Sequence, residues 1–132
     1  MRGINTNILV RFLTADDSAQ FRIVETLMAE VEDQNDRLHI SSITLCELAW
    51  VLRSRYQMSR EKISSALETL LDITILEIQD RDLVEKARQD FRAGAAGFPD
   101  YLIGWHNQKA GCTETLTFDR TLAKYPGFSL LT

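Results

Sequence analysis

The chain has 132 residues, 45% hydrophobic and 26% charged, with a formal net charge of −4. These values suit one soluble domain with its own core, and the acidic balance argues against a broad, nonspecific grip on nucleic acid. With two prolines and six glycines a disordered linker is not expected, and no apolar stretch is long enough to span a bilayer.

The first predicted element is a short strand ending near Asn5. The polar triplet Asn5-Thr6-Asn7 then interrupts an apolar run, and Ile8, Leu9, Phe12 and Leu13 recur at helical spacing. Any of the triplet can cap that helix. Asp16, Asp17 and Ser18 offer caps for a second helix with Phe21, Val24, Leu27, Met28 and Val31 inward, ending near Asn35. Leu38 to Ile40 is a short strand, with His39 a partly buried strand residue. Ser41 and Ser42 can cap the next helix, Ile43 to about Arg55, which is apolar almost all round and therefore expected to be buried.

Ser59 caps a fourth helix with Ile63, Ala66, Leu67, Leu70 and Leu71 inward. Ile73 to Ile78 reads as a strand from its β-branched content. Asp80 caps a helix carrying Leu83, Val84, Ala87 and Phe91. After a Gly94–Phe98 loop, Pro99 opens a helix at the turn that proline tolerates best, and Gly111 ends it. Thr113 to Phe118 and Phe128 to Leu131 are the last strands, joined through Asp119 and Pro126-Gly127. Strands alternating with helices imply a parallel sheet covered on both faces, with ligands gathering beyond the carboxyl ends of the strands.

Asn5 and Asp119 both fall at predicted strand ends. Glu47 lies in the most apolar helix, with Ile43, Thr44, Trp50 and Val51 one turn away and no cation among them. A buried carboxylate without a partner is costly, so Glu47 either reaches a cleft or pairs with a distant cation. Asp100 has Ala96, Gly97, Ile103 and Gly104 as its turn neighbours and either faces the same cleft or favours a helix N-terminus. Asp119 is a candidate for the cleft or for an N-cap, with Arg120 beside it as a possible neutralising partner. Glu61, Glu68, Asp82, Glu85 and Asp90 are read as ordinary solvated charges. A gathered set of oxygen donors is what Mg²⁺ or Mn²⁺ requires, and such ions can activate water and stabilise charge at a phosphorus under attack.

Cys46 and Cys112 lack zinc-ligand spacing and are expected to be small buried hydrophobes in a reducing, cytoplasmic setting. The apolar start, broken by Asn5, Thr6, Asn7 and Arg11, does not read as a secretion signal.

Four stretches taken in order resemble a known family: Ile4 to Arg11, Ser41 to Leu48, Phe98 to Ile103, and Leu116 to Arg120 with Pro126-Gly127-Phe128. They resemble PIN-domain ribonucleases, and specifically the VapC-type toxins of type II toxin–antitoxin pairs. The family motif opens with an aspartate followed by Thr and Asn; here Asn5 stands in the aspartate's place, and Thr6 and Asn7 match. Glu47, Asp100 and Asp119 match the other acidic positions, which implies that with Asn5 they form a catalytic, metal-holding set supported by Thr6, Asn7 and Thr117.

The resemblance also implies a three-layer α/β/α sandwich around a parallel sheet, formed as a single domain over residues 1–132. It implies a homodimer, Mg²⁺- or Mn²⁺-dependent cleavage of structured RNA, and a cognate antitoxin whose tail enters the cleft. Asn5 predicts weakened or lost activity, which keeps open a second reading: a degenerate module that only binds antitoxin or RNA. A receiver-like signalling domain would need an early acidic pair and a late lysine that have no counterparts here. Arg11, Arg53, Arg55, Arg60, Arg120 and Lys124 are available to an RNA surface, and Trp50, Tyr56 and Met58 are candidates for an interface, although core packing is the commoner fate for Trp50.

Overall fold

The computed structural model describes all 132 residues. The chain forms two compact units, Met1–Arg81 and Asp82–Thr132, each with parallel strands and flanking helices, so the fold class is α/β.

In the first unit, β1 (Arg2–Gly3), β2 (Leu38–Ile40) and β3 (Leu76–Ile78) form a parallel sheet in that order. Arg2 pairs with Leu38, and Leu38 pairs onward with Leu76. Each crossover carries two helices: α1 (Thr6–Thr14) and α2 (Ser18–Asp33), then α3 (Ser42–Ser54) and α4 (Arg60–Asp72). Parallel neighbours demand such long connections, because a tight turn can only reverse the chain.

Side-chain caps set where these helices begin. Asp17 Oδ1 accepts from the Gln20 N–H at 3.0 Å, Ser41 Oγ from Thr44 at 3.2 Å and Ser59 Oγ from Lys62 at 3.2 Å. Each satisfies one of the backbone donors left open at a helix start. α1 ends at Ala15, whose left-handed φ of 51° returns its N–H to the Arg11 carbonyl. α1 packs on α2 and α3, and α4 on α3 and β3. Leu9, Val31, Ile40, Leu48, Leu52, Ile63 and Leu70 are buried in this unit, and each such side chain contributes roughly 1.5–3 kcal/mol by leaving water.

Two expectations for this unit change. The third strand is shorter than Ile73–Ile78, because Ile73 caps α4 and strand pairing starts only at Leu76. α3 is also not buried all round. Leu45, Leu48, Ala49 and Leu52 face inward, whereas Ile43, Glu47 and Trp50 are exposed. Core packing, the commoner fate for a tryptophan, therefore does not hold for Trp50.

The second unit holds α5 (Arg81–Ala93, which begins at the boundary), α6 (Phe98–Lys109), β4 (Thr115–Thr117), a 3-10 turn (Leu122–Lys124) and β5 (Phe128–Leu130). β4 and β5 pair in parallel, Thr115 with Phe128 and Thr117 with Leu130, as a sheet of their own. Leu83, Val84, Ala87 and Phe91 form the buried face of α5, as their spacing predicts. Arg88 is buried among them and donates to Glu85 through Nη2 at 2.6 Å and Nε at 2.9 Å. Gly111, at φ 98°, turns the chain out of α6 in a conformation costly for residues with a Cβ. Gly104 is bare for another reason: a Cβ there would lie 2.5 Å from the Phe128 ring.

Candidate active site

Asn5 lies two residues beyond β1, at the end of the sheet where all three parallel strands terminate. It is the N-cap of α1. Its Oδ1 accepts from the adjacent Thr6 N–H at 2.8 Å, and its carbonyl accepts from Ile8 at 3.1 Å. Thr6 is buried and Asn7 exposed. Ser41, at the same end of β2, caps α3, and the Gln79 Oε1 beyond β3 accepts from the Ser42 N–H at 2.9 Å. The start of α3 is thus fixed from two strand ends, which sets the height of Glu47 in its second turn.

Glu47 is exposed and has neither a hydrogen-bond nor an ion-pair partner. It lines a cavity of about 330 Å³ with Thr6, Asn7, Arg11, Trp50, Arg55 and Tyr56. Asn5 is not among the residues that line this cavity, and the carboxylate of Glu47 is not buried as its apolar helix led us to expect, because α3 turns that stripe to solvent.

The cavity wall is braced at Asp16. The Tyr56 hydroxyl donates to Asp16 Oδ2 at 2.6 Å, Thr14 Oγ1 to Oδ1 at 2.9 Å and Arg11 Nη1 to Oδ1 at 3.3 Å. The Tyr56 and Thr14 bonds, with the Arg11 charge, hold the Asp16 carboxyl below its ordinary range. Arg11 Nε also donates to Gln20 at 2.5 Å. Asp16 and Tyr56 were not expected as site residues; an acid beside a helix cap gives no sign in sequence of a partner 40 residues away.

In the second unit, Asp100 and Asp119 both serve backbone termini. Asp100 Oδ2 accepts from the Gly97 N–H at 3.1 Å, one half of a capping box whose other half glycine cannot supply. Asp119, exposed, follows β4 by two residues and accepts from Thr121 and Leu122 at 2.9 and 3.1 Å. Thr117 Oγ1 accepts from the Asp119 N–H at 3.0 Å, so the threonine sets the aspartate's backbone. Arg120 makes no ion pair with Asp119. Within neither unit do three His, Cys, Asp or Glu side chains gather where they could hold a metal ion.

A separate cavity of about 350 Å³ in the second unit contains none of the expected site residues. Asp90 lines it and is not an ordinary solvated charge: Oδ2 accepts from Trp105 Nε1 at 2.6 Å and Oδ1 from the Tyr125 hydroxyl at 2.7 Å. Burial, with Asp90 as acceptor and neighbouring charge, pushes the Tyr125 phenol up to about 12. Cys112 lines this cavity and is exposed, and Cys46 is only half-buried, so neither is the buried hydrophobe expected. Burial raises the Cys46 thiol.

An α/β chain whose first parallel strand ends two residues before Asn5, with an unpartnered glutamate on the second crossover, has the outline of a PIN domain, and the PIN domain family model matches residues 4–127. The chain belongs to that family. Among curated proteins it is similar to a VapC ribonuclease of Aquifex aeolicus (strain VF5), 23% identical over 124 residues that cover 94% of this chain and 91% of the relative. No solved structure matches the chain significantly.

Proposed function

We propose that this chain is a VapC-type endoribonuclease toxin, the nuclease of a toxin–antitoxin pair, with activity weakened by Asn5. The observation that carries this reading is the cavity beyond the β1 end, where Glu47 stands without a partner beside Thr6 and Asn7. Ligands of parallel α/β sheets gather at that end of the strands. Membership in the PIN family over residues 4–127 and the likeness to a VapC ribonuclease support the same activity, and the match runs through both units, in keeping with one PIN-like domain.

A divalent cation, Mg²⁺ or Mn²⁺, belongs to this reading, and the residues were weighed against it. The donors are right in kind, since carboxylate and amide oxygens are hard ligands. They fall short in charge and in readiness: Asn5 is neutral, its Oδ1 already accepts from Thr6, and one oxygen each of Asp100 and Asp119 already accepts from backbone N–H groups. As it stands the set does not fit a tightly held divalent ion. Weak metal binding and slow cleavage of structured RNA follow from that shortfall.

The test is a paired assay of this chain and Asn5→Asp on one pool of structured RNA, with Mn²⁺ and with chelator. Asn5→Asp should cut at least about 10² faster, or roughly 3 kcal/mol of barrier, with Mn²⁺ alone. Equal cutting by both chains would remove Asn5 from the site. Silence from both, with antitoxin or RNA binding intact, would favour the degenerate binding module, a reading that the missing acidic cluster keeps in play.

The remaining parts of the proposal are a cytoplasmic homodimer and an antitoxin whose tail enters this cleft. No helix is long and apolar enough to cross a membrane. Sedimentation at micromolar concentration without antitoxin should give a dimer; a clean monomer would count against it.

A further inference from the structure

The cavity of about 350 Å³ in the second unit takes no part in the ribonuclease reading. It falls within the size range of small-molecule sites, roughly 300–1,000 Å³. Its walls are of two kinds. Tyr101, Trp105, Tyr125 and Phe128 bring aromatic rings, and Tyr101 packs edge to face on Tyr125 with 4.9 Å between ring centres. Asp90 and Glu114 bring carboxylates, and no lysine, arginine or histidine lines the cavity.

Neither carboxylate makes an ion pair. Asp90 is held by the Trp105 N–H and the Tyr125 O–H, both neutral donors. Burial, together with the Asp90 charge, keeps that phenol protonated up to about 12, so the network does not discharge. Glu114 Oε2 accepts from the Ser129 hydroxyl at 2.6 Å, again a neutral donor. A negative charge set among aromatic rings and supported only by neutral dipoles favours an incoming cation. A carboxylate has about four acceptor positions, so Asp90 retains capacity on both oxygens and Glu114 on Oε1.

We propose that this cavity binds a small primary ammonium ion with an apolar body. Its –NH₃⁺ is held by the Asp90 carboxylate under the added field of Glu114, and its body lies among the Tyr101, Tyr125 and Phe128 rings. The proposal stands apart from the ribonuclease reading and does not depend on it.

The ligand class follows from the lining. An anion would meet two like charges. A divalent metal ion would leave the aromatic walls unused, and no third acidic or histidine ligand gathers with the two carboxylates. A quaternary ammonium ion draws on rings alone, but Lys86 Nζ already stands 4.9 Å from the centre of the Trp105 ring. The charge therefore goes to the carboxylates, which need a cation with N–H groups to donate.

The chain as it stands is titrated calorimetrically with phenethylammonium, with neutral phenethyl alcohol and with hydrocinnamate. Cys112 marks the site: it is exposed on the lining, whereas Cys46 is half-buried and burial raises its thiol. Alkylation by iodoacetamide, read by peptide mass, follows the two cysteines separately. The ammonium should bind at least about tenfold tighter than the alcohol, and hydrocinnamate should not bind. The ammonium should also slow alkylation of Cys112 and leave Cys46 unchanged. Glu114→Gln, at an exposed residue, should weaken the ammonium about threefold. Asp90→Asn should weaken it about tenfold or more. Both variants should leave the alcohol's affinity as it was, which a collapsed cavity would not.

Equal binding of ammonium and alcohol would overturn the proposal, as would no binding of the ammonium at millimolar concentration. Unchanged alkylation of Cys112 at saturation would put the ligand elsewhere and overturn it too. If Asp90→Asn does not fold, Glu114→Gln decides: unaltered affinity for the ammonium would refute the site.

Discussion

The Tyr56 hydroxyl donates a 2.6 Å hydrogen bond to Asp16 Oδ2, tying the chain just after α3 to the turn between α1 and α2. Glu47 and the helix that caps with Asn5 keep their spacing partly through this tie. The Tyr56 bond is the largest of the influences that hold the Asp16 carboxyl low. A carboxyl lowered by folding adds stability above its unfolded pKa, and that stability is lost as pH falls through the folded value. Tyr56→Phe should therefore move the Asp16 pKa, followed by carboxyl NMR, up toward 3.8, its ordinary value, and should leave the protein less sensitive to acid at this site. An unmoved Asp16 titration would mean the bond does not persist in solution.

Glu47 separates function from stability. It is exposed and unpartnered, so Glu47→Gln removes charge without breaking a contact. In the Asn5→Asp background the expected result is a fall in cleavage on the order of 10² or more with an unchanged melting temperature. A large drop in melting temperature would show that Glu47 has a structural role.

Asp119 caps the turn at Thr121 and Leu122, and different substitutions separate that role from the proposed nuclease role. Asp119→Asn keeps an oxygen for the Thr121 and Leu122 N–H groups and should preserve stability, whereas Asp119→Ala leaves both donors open and should cost about 1 kcal/mol. If Asp119 also serves the nuclease, both variants lose cleavage in the Asn5→Asp background. Full activity in both would confine Asp119 to capping.

The Tyr125 phenol should ionise only at a pH near 12. Because the folded value is raised, its contribution to stability is complete below the ordinary value of 10 and disappears as pH climbs through about 12. Asp90→Asn should bring the phenol back toward its ordinary range, read from the tyrosinate absorbance. A titration unaffected by Asp90→Asn would place the cause in burial alone.

Most of the architecture is legible in the sequence because it rests on local chemistry. Asp17, Ser41 and Ser59 announce helix starts, and the Leu83, Val84, Ala87, Phe91 spacing marks a buried face. Thr6, Asn7 and Glu47, which line one cavity, were brought together only through the family motif, and the motif gave no sign that Asn5 stands outside that lining. What α3 does with its apolar residues was not. Composition alone does not say that Ile43 and Trp50 share the open stripe, since the orientation comes from Ser41 and Gln79 fixing the helix start. Asp90 was missed for a related reason: its donors, Trp105 and Tyr125, lie 15 and 35 residues away. Long-range pairing of that kind leaves no periodic trace.

Gly104 bears on how freely this sequence can drift. The Phe128 ring occupies the space where any side chain at 104 would begin, and β5, the strand carrying Phe128, is only three residues long. So short a strand has little pairing of its own with which to resist displacement. An alanine at 104 would either push the ring aside or unseat the strand, and compensation would require a smaller residue at 128 at the same time. The two positions are open to change only together, which makes this corner of the molecule a place where single mutational steps are blocked while the exposed helix faces around it stay permissive.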